Sequence, residues 1–145
     1  MKILIVDDME TNRDLIKQVL IDAGYAESSF LFEESADKAF NLLGIDGSSE
    51  PPDTGYELDL VLMDIAMPGT DGIEACKKIK STERFQDTPV IMVSAMSDTK
   101  LLLLSFNAGA VDFIAKPLNI DEFVVRVRSA LKTKQRIDQL KSQAN

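Results

Sequence analysis

The chain of 145 residues carries 24 acidic and 16 basic side chains, for a formal net charge of -8. That balance argues against a domain that grips nucleic acid or an anionic membrane by itself, and the length suits one ordinary domain with room for a core. Histidine is absent and Cys76 is the single cysteine, which excludes imidazole catalysis, imidazole zinc sites and an internal disulfide, and leads us to expect a reducing, cytoplasmic setting.

No apolar run reaches the length of a membrane span, and the opening residues do not pattern as a secretory signal. Ile3 to Val6 is a continuous apolar run of strand length, as in a strand buried on both faces of a parallel sheet. It runs directly into Asp7 and Asp8. Leu15, Ile16, Val19, Leu20 and Ala23 then recur at helical spacing, and Gly24 supplies a left-handed stop. Ser29 to Phe32 reads as a short second strand and Ala36 to Leu43 as a short helix. Residues 44–57 hold three glycines and two prolines and form a long loop at the end of the sheet away from the acids, either a partner contact or a tolerated insertion.

Leu58 to Asp64 is another buried strand ending in an aspartate. Met67 to Gly72 is turn chemistry, and Ile73 to Lys80 a helix. Pro89 opens a further buried run that ends at Ser94. Asp98 to Asn107 is helical and stops at Gly109. Val111 to Pro117 is the last strand, ending in Lys116 and Pro117. Asn119, with Glu122 three residues on, resembles a capping box ahead of a helix from about Ile120 to beyond Gln135. Five strands alternating with five helices predict an α/β doubly wound fold, an open parallel sheet with helices on both faces. The six methionines read as core filler.

In open α/β sheets, ligands bind beyond the carboxyl ends of the strands. There this sequence places Asp7, Asp8, Asp64, Ser94 and Lys116, with neither a dinucleotide fingerprint nor a P-loop. Taken singly, each has an ordinary explanation: a helix-start acid pair, a turn residue, a strand-end hydroxyl, a solvated ammonium. Their joint placement at four strand ends outweighs those explanations. Three converging carboxylates repel one another, and a hard divalent cation such as Mg²⁺ is the simplest neutraliser. A carboxylate beside a metal, a lysine and a hydroxyl is also set up to accept a phosphoryl group.

These residues carry a resemblance. The stretches ILIVDD, LVLMDIAMPGTDG, VIMVSA and VDFIAKP are similar to the receiver domain of bacterial two-component response regulators, over about residues 1–131. The resemblance implies a flavodoxin-like sheet in the order 2-1-3-4-5. It implies that Asp64 is the phosphoacceptor, modified by a cognate sensor histidine kinase or phosphotransfer protein. Asp7 and Asp8 would hold Mg²⁺, or Mn²⁺ in its place, with Asp64 and the backbone carbonyl of Ala66. Lys116 would pair with the phosphoryl group, Ser94 would hydrogen-bond to it, and Phe113 would be the switch aromatic that turns inward. The Lys116–Pro117 peptide is expected to be cis. Two positions depart from the family pattern: Ala66 and Met96 lack polar side chains that would orient a water, so slow loss of the phosphate is expected.

Leu101 to Leu104 span nearly the whole circumference of a helix, so at least one or two must face outward. Exposed apolar groups in a patch mark a contact surface. In the resembled family the fourth helix, fifth strand and fifth helix signal or dimerise, which leads to the expectation of a homodimer through that face. Beyond Leu131, residues 132–145 continue helical character as an expected linker. Val127, Ala130, Lys134, Ile137 and Lys141 recur there at a spacing of about three and a half, with Leu140 nearby, but only part of that stripe is apolar. The expected function is a phosphoacceptor switch that takes part in its own phosphorylation rather than an enzyme acting on a separate metabolite. One rival is a phosphohydrolase with an aspartate nucleophile, against which Met9 stands where a second Asp belongs. The other is a docking module that no longer takes phosphate.

Overall fold

A computed structural model of the chain describes residues 1–45, 58–96 and 98–144. From residue 46 onward, the expectation for the loop at 44–57 lies outside the described residues. The elements are β1 (Ile3–Val6), α1 (Glu10–Asp22), β2 (Phe30–Glu33), α2 (Ala36–Leu43), β3 (Leu60–Asp64), α3 (Gly72–Lys80), β4 (Val90–Ser94), α4 (Thr99–Asn107), β5 (Asp112–Ala115) and α5 (Ile120–Ala144). The five strands are parallel and lie in the order β2-β1-β3-β4-β5. This is the flavodoxin-like order that the family resemblance implied.

Every residue of β1, β3 and β4 is buried, which explains why these strands are continuous apolar runs rather than alternating ones. One core joins Leu4, Val61, Met63 and Met92 to Ala39 and Phe40 of α2 and to Ala75, Cys76 and Ile79 of α3. The other joins Ile3, Ile5, Leu62 and Ile91 to Ile16 and Leu20 of α1 and to Phe123, Val127 and Leu131 of α5. Alternate residues of each central strand thus feed opposite faces. Cys76 is fully buried, its Sγ 3.6 Å from the Ala108 carbonyl oxygen. Burial pushes its thiol pKa up to about 11.

Some boundaries differ from those read in the sequence. Ser29 belongs to a 3-10 turn, its N–H donating to the Ala26 carbonyl at 2.9 Å. The second strand therefore starts at Phe30 and reaches Glu33, the partner of Val6. β3 starts at Leu60, after a buried Leu58. The methionines divide: Met63, Met67 and Met92 are buried, whereas Met1, Met9 and Met96 are more than half exposed, so only half of them fill the core.

The C-terminal helix is continuous through residues 120–144. The first part of its stripe turns inward, while Leu140 and Lys141 are exposed. Val127, Ala130 and Lys134 are buried. The Lys134 ammonium bonds both carboxylate oxygens of Asp138 at 2.8 and 2.7 Å and lies 3.9 Å from Asp59, just ahead of β3. Lys141 pairs with Asp87. A stripe that is polar at these positions is thus used within the molecule, as ion pairs. Among the described residues, no helix is long and apolar enough to cross a membrane.

Candidate phosphoacceptor site

Strand register brings the candidate residues together. Val6 lies opposite Met63, so Asp7 and Asp64 follow at the same level. Asp64 lies opposite Val93, and Ser94 opposite Ala115, so Ser94 emerges one step further along the same edge and Lys116 two. Parallel pairing fixes this alignment, because a shift by one residue would turn each apolar run's alternate side chains to the wrong core.

Asp7 is 2 % exposed and Asp64 6 %. Asp8 is exposed. One oxygen from each of these three carboxylates lies within 4.8 Å of the others. The Lys116 ammonium is 2.9 Å from Asp7 Oδ2 and 3.6 Å from Asp64 Oδ1. Asp7 therefore holds the lysine more closely than the candidate phosphoacceptor does. Burial pushes the Asp64 carboxyl up to about 6; the nearby Asp7 and Asp8 act in the same direction, while Lys116 and the Ala66 N–H oppose them. With Asp64 charged, the three carboxylates outnumber the one lysine. The donor set is all oxygen, with an open flank at Asp8, and suits Mg²⁺ or Mn²⁺.

Other residues hold this arrangement. Asp7 Oδ1 accepts the Met9 N–H at 2.9 Å and the Asn12 side-chain amide at 3.4 Å. Arg13 Nη1 donates to the Asp7 backbone carbonyl at 2.6 Å. The acid pair does not cap α1; its N-cap residue is Met9, without a side-chain bond. Asn12 and Arg13 escaped the sequence reading. The available signal was a polar pair one turn into the helix that directly follows the acids.

Ser94 is fully buried, and its Oγ accepts the Met96 N–H at 3.0 Å. The Lys116 N–H donates to the Ser94 carbonyl at 2.8 Å, which ties the hydroxyl strand to the lysine strand. The Lys116–Pro117 peptide is cis. Phe113 is half-buried against the α3-side core, on the strand that carries Lys116. Ala66, two residues past Asp64, and Met96, two past Ser94, are exposed. An open apolar cleft of about 330 Å³ lies alongside, between Leu15 and Ile16 of α1 and Lys116 to Leu118.

The leucine run is set apart from this cluster. Leu102, Leu103 and Leu104 are 36, 58 and 42 % exposed and Leu101 is half-buried. Phe106 adds a further exposed ring.

Comparison with known proteins agrees with this geometry. The family model for the response regulator receiver domain matches residues 3–128. The transcriptional regulatory protein ResD of Bacillus subtilis is 36 % identical over 131 residues, which cover 90 % of this chain and 48 % of ResD. The DNA-binding dual master transcriptional regulator RpaA of a Synechocystis species is 31 % identical over 138 residues, covering 95 % of this chain and 52 % of that protein. The chain thus spans about half the length of these curated relatives. Among solved structures, the signal receiver domain of a signal transduction histidine kinase from Syntrophus aciditrophicus superposes with a TM-score of 0.73 at 28 % identity, covering 90 % of this chain and 89 % of that one. Matching sequence across nearly all the described strands, the same fold and the clustered acids lead to one conclusion: the chain belongs to the response regulator receiver domain family.

Proposed function

We propose that this chain is a phosphoacceptor switch in which Asp64 takes a phosphoryl group from a histidine kinase or phosphotransfer protein. The observation that carries this reading is the buried Asp64 carboxylate, with Asp7 and Asp8 in reach of a shared cation and Lys116 at 3.6 Å. An Asp64 oxygen attacks phosphorus, the bond from phosphorus to the donor's imidazole nitrogen breaks, and the nitrogen leaves with the electron pair. A divalent cation held by Asp7, Asp8, Asp64 and the Ala66 carbonyl would neutralise phosphoryl oxygens. Lys116 swings its ammonium from Asp7 toward the new group, and the buried Ser94 hydroxyl releases the Met96 N–H to donate to it. Phe113, on the strand between Ser94 and α5, follows that movement inward. The cleft beside Lys116 gives the donor room to approach.

The chain acts on its own phosphorylation state and turns over no separate metabolite. Residues 1–131 are the receiver unit, and residues 132–145 carry its state onward. Exposed Leu102, Leu103, Leu104 and Phe106, with exposed Val111 just ahead of β5 and Val125 on α5, support self-association through the α4–β5–α5 face when Asp64 is phosphorylated. Apolar Ala66 and Met96 support a long-lived phosphate.

The test is intact mass after incubation with a small acyl phosphate, with and without Mg²⁺, on this chain and on Asp64→Asn. A Mg²⁺-dependent gain of one phosphoryl group, lost in Asp64→Asn, is expected, and following that mass over time reads the slow loss. No gain in the folded chain would favour the docking module. Light scattering with a beryllofluoride phosphoryl mimic is expected to show a dimer that Leu103→Glu abolishes. A monomeric mass with the mimic would end the dimer proposal.

A further inference from the structure

Gly72 opens α3, and its φ lies outside the left-handed range, so its backbone conformation does not require glycine. Its surroundings do. A Cβ at this position would lie 2.1 Å from the Asp64 carbonyl oxygen, 2.8 Å from the Asp64 carbonyl carbon and 2.8 Å from the Ile65 Cα. All three are main-chain atoms, which cannot rotate aside as a side chain would. The Gly72 N–H also donates to the Ile65 carbonyl at 2.9 Å, and the Met67 N–H reaches the same oxygen at 3.2 Å. The first turn of α3 therefore rests directly on the peptide that follows the phosphoacceptor.

Neither side of that contact has room to retreat. β3 is paired on both edges, by β1 and β4. α3 is pinned by fully buried Ala75, Cys76 and Ile79. An added methyl must be absorbed between them, by the exposed Ala66 link. Ala66 carries the backbone N–H that favours the charged form of the Asp64 carboxyl. On the reading above, it also supplies the carbonyl that helps hold the cation.

We propose that Gly72 is a positioning residue for phosphoryl acceptance: its missing side chain sets how closely α3 approaches the Asp64–Ile65 peptide, and so aims the Ala66 amide and carbonyl at the site. This rests on Asp64 being the phosphoacceptor. The experiment compares Gly72→Ala with the unaltered chain and with Gly69→Ala. Gly69 lies in the loop just ahead of α3 with φ +78 but has open space around it, so its substitution strains the backbone without the contact. Mn²⁺ affinity by titration calorimetry, the metal-free midpoint of thermal unfolding and the rate of acyl-phosphate uptake are read for all three.

Gly72→Ala is expected to lose roughly tenfold or more in Mn²⁺ affinity and in uptake rate, as when groups that orient metal ligands are disturbed. Gly69→Ala is expected to lower the midpoint and leave affinity unchanged. Unaltered affinity and uptake in Gly72→Ala, whatever its midpoint, would overturn the proposal. So would a Gly72→Ala chain that stays unfolded at low temperature with a stabilising osmolyte, since the glycine would then serve the fold and not the site. If the unaltered chain binds Mn²⁺ but takes no phosphoryl group, the phosphoacceptor reading falls and this proposal with it, whereas normal uptake in the unaltered chain and in Gly72→Ala alike overturns the proposal alone. If it does neither, both fall.

Discussion

Helices α3 and α4 have nine residues each and begin in the same way. Asp71 and Asp98 each cap their helix by accepting the N–H three residues on, at 2.9 and 2.8 Å. From there they diverge. α3 buries Gly72, Ala75, Cys76 and Ile79. α4 buries only Ser105, whose hydroxyl bonds back to the Leu101 carbonyl at 2.8 Å. Local capping therefore starts both helices, but tertiary burial secures one of them. The secured helix bears on Asp64, and the lightly held one displays its apolar side chains to solvent. The acidic cluster thus has a firm wall beside Asp64 and a loosely seated element one strand away, a contrast the proposed switch could use.

The comparison can be broken by packing mutations. Ile79→Ala should cost roughly 2–5 kcal/mol in urea unfolding, as for a fully buried isoleucine, and Leu103→Ala no more than about 0.5 kcal/mol. Similar losses at the two positions would mean that α4 is packed as firmly as α3.

A second measurement probes the acids beside the firm wall. The Asp64 carboxyl rises from 3.8 to about 6 in the folded chain, so between those values the native state holds a proton that the unfolded chain has lost. Metal-free stability should therefore fall as pH rises from about 4 to 6 and level off above, a change of order 3 kcal/mol. Asp64→Asn should lack that fall and be the more stable form at pH 7 without metal. Adding Mg²⁺ should narrow the gap, because binding stabilises the native state. A flat profile for the unaltered chain would show that Lys116 already balances the cluster.

The smallest effect sharpens the contrast most. Asp71→Ala and Asp98→Ala should each cost about 1 kcal/mol, the usual worth of an N-cap. Only Asp71→Ala should slow phosphoryl uptake, because only α3 touches the Asp64 peptide.

Much of this was legible in the residues. Ile3 to Val6, Leu60 to Met63 and Val90 to Val93 announce central strands because burial on both faces demands unbroken apolar runs. The polar residue ending each run then maps the site. Asn12, Arg13 and Gly72 were not legible, because their roles depend on which main-chain atoms lie next to them in space. Along α5 the spacing could not say that Lys134 is buried against Asp59 and Asp138 while the exposed Lys141 pairs with Asp87, because that depends on which acids meet them in space. The leucine run showed that some side chains must face out, but periodicity could not say that Leu101 is the one tucked inward.

The buried thiol between α3 and α4 has a practical use. Cys76 is the sole cysteine, and its Sγ lies against the main chain at the end of α4. An alkylating reagent can reach it only when that seam parts, so the rate of labelling of the native protein counts the openings. Run with and without a phosphoryl mimic, the same reaction would test whether the seat of α4 changes, without any added probe.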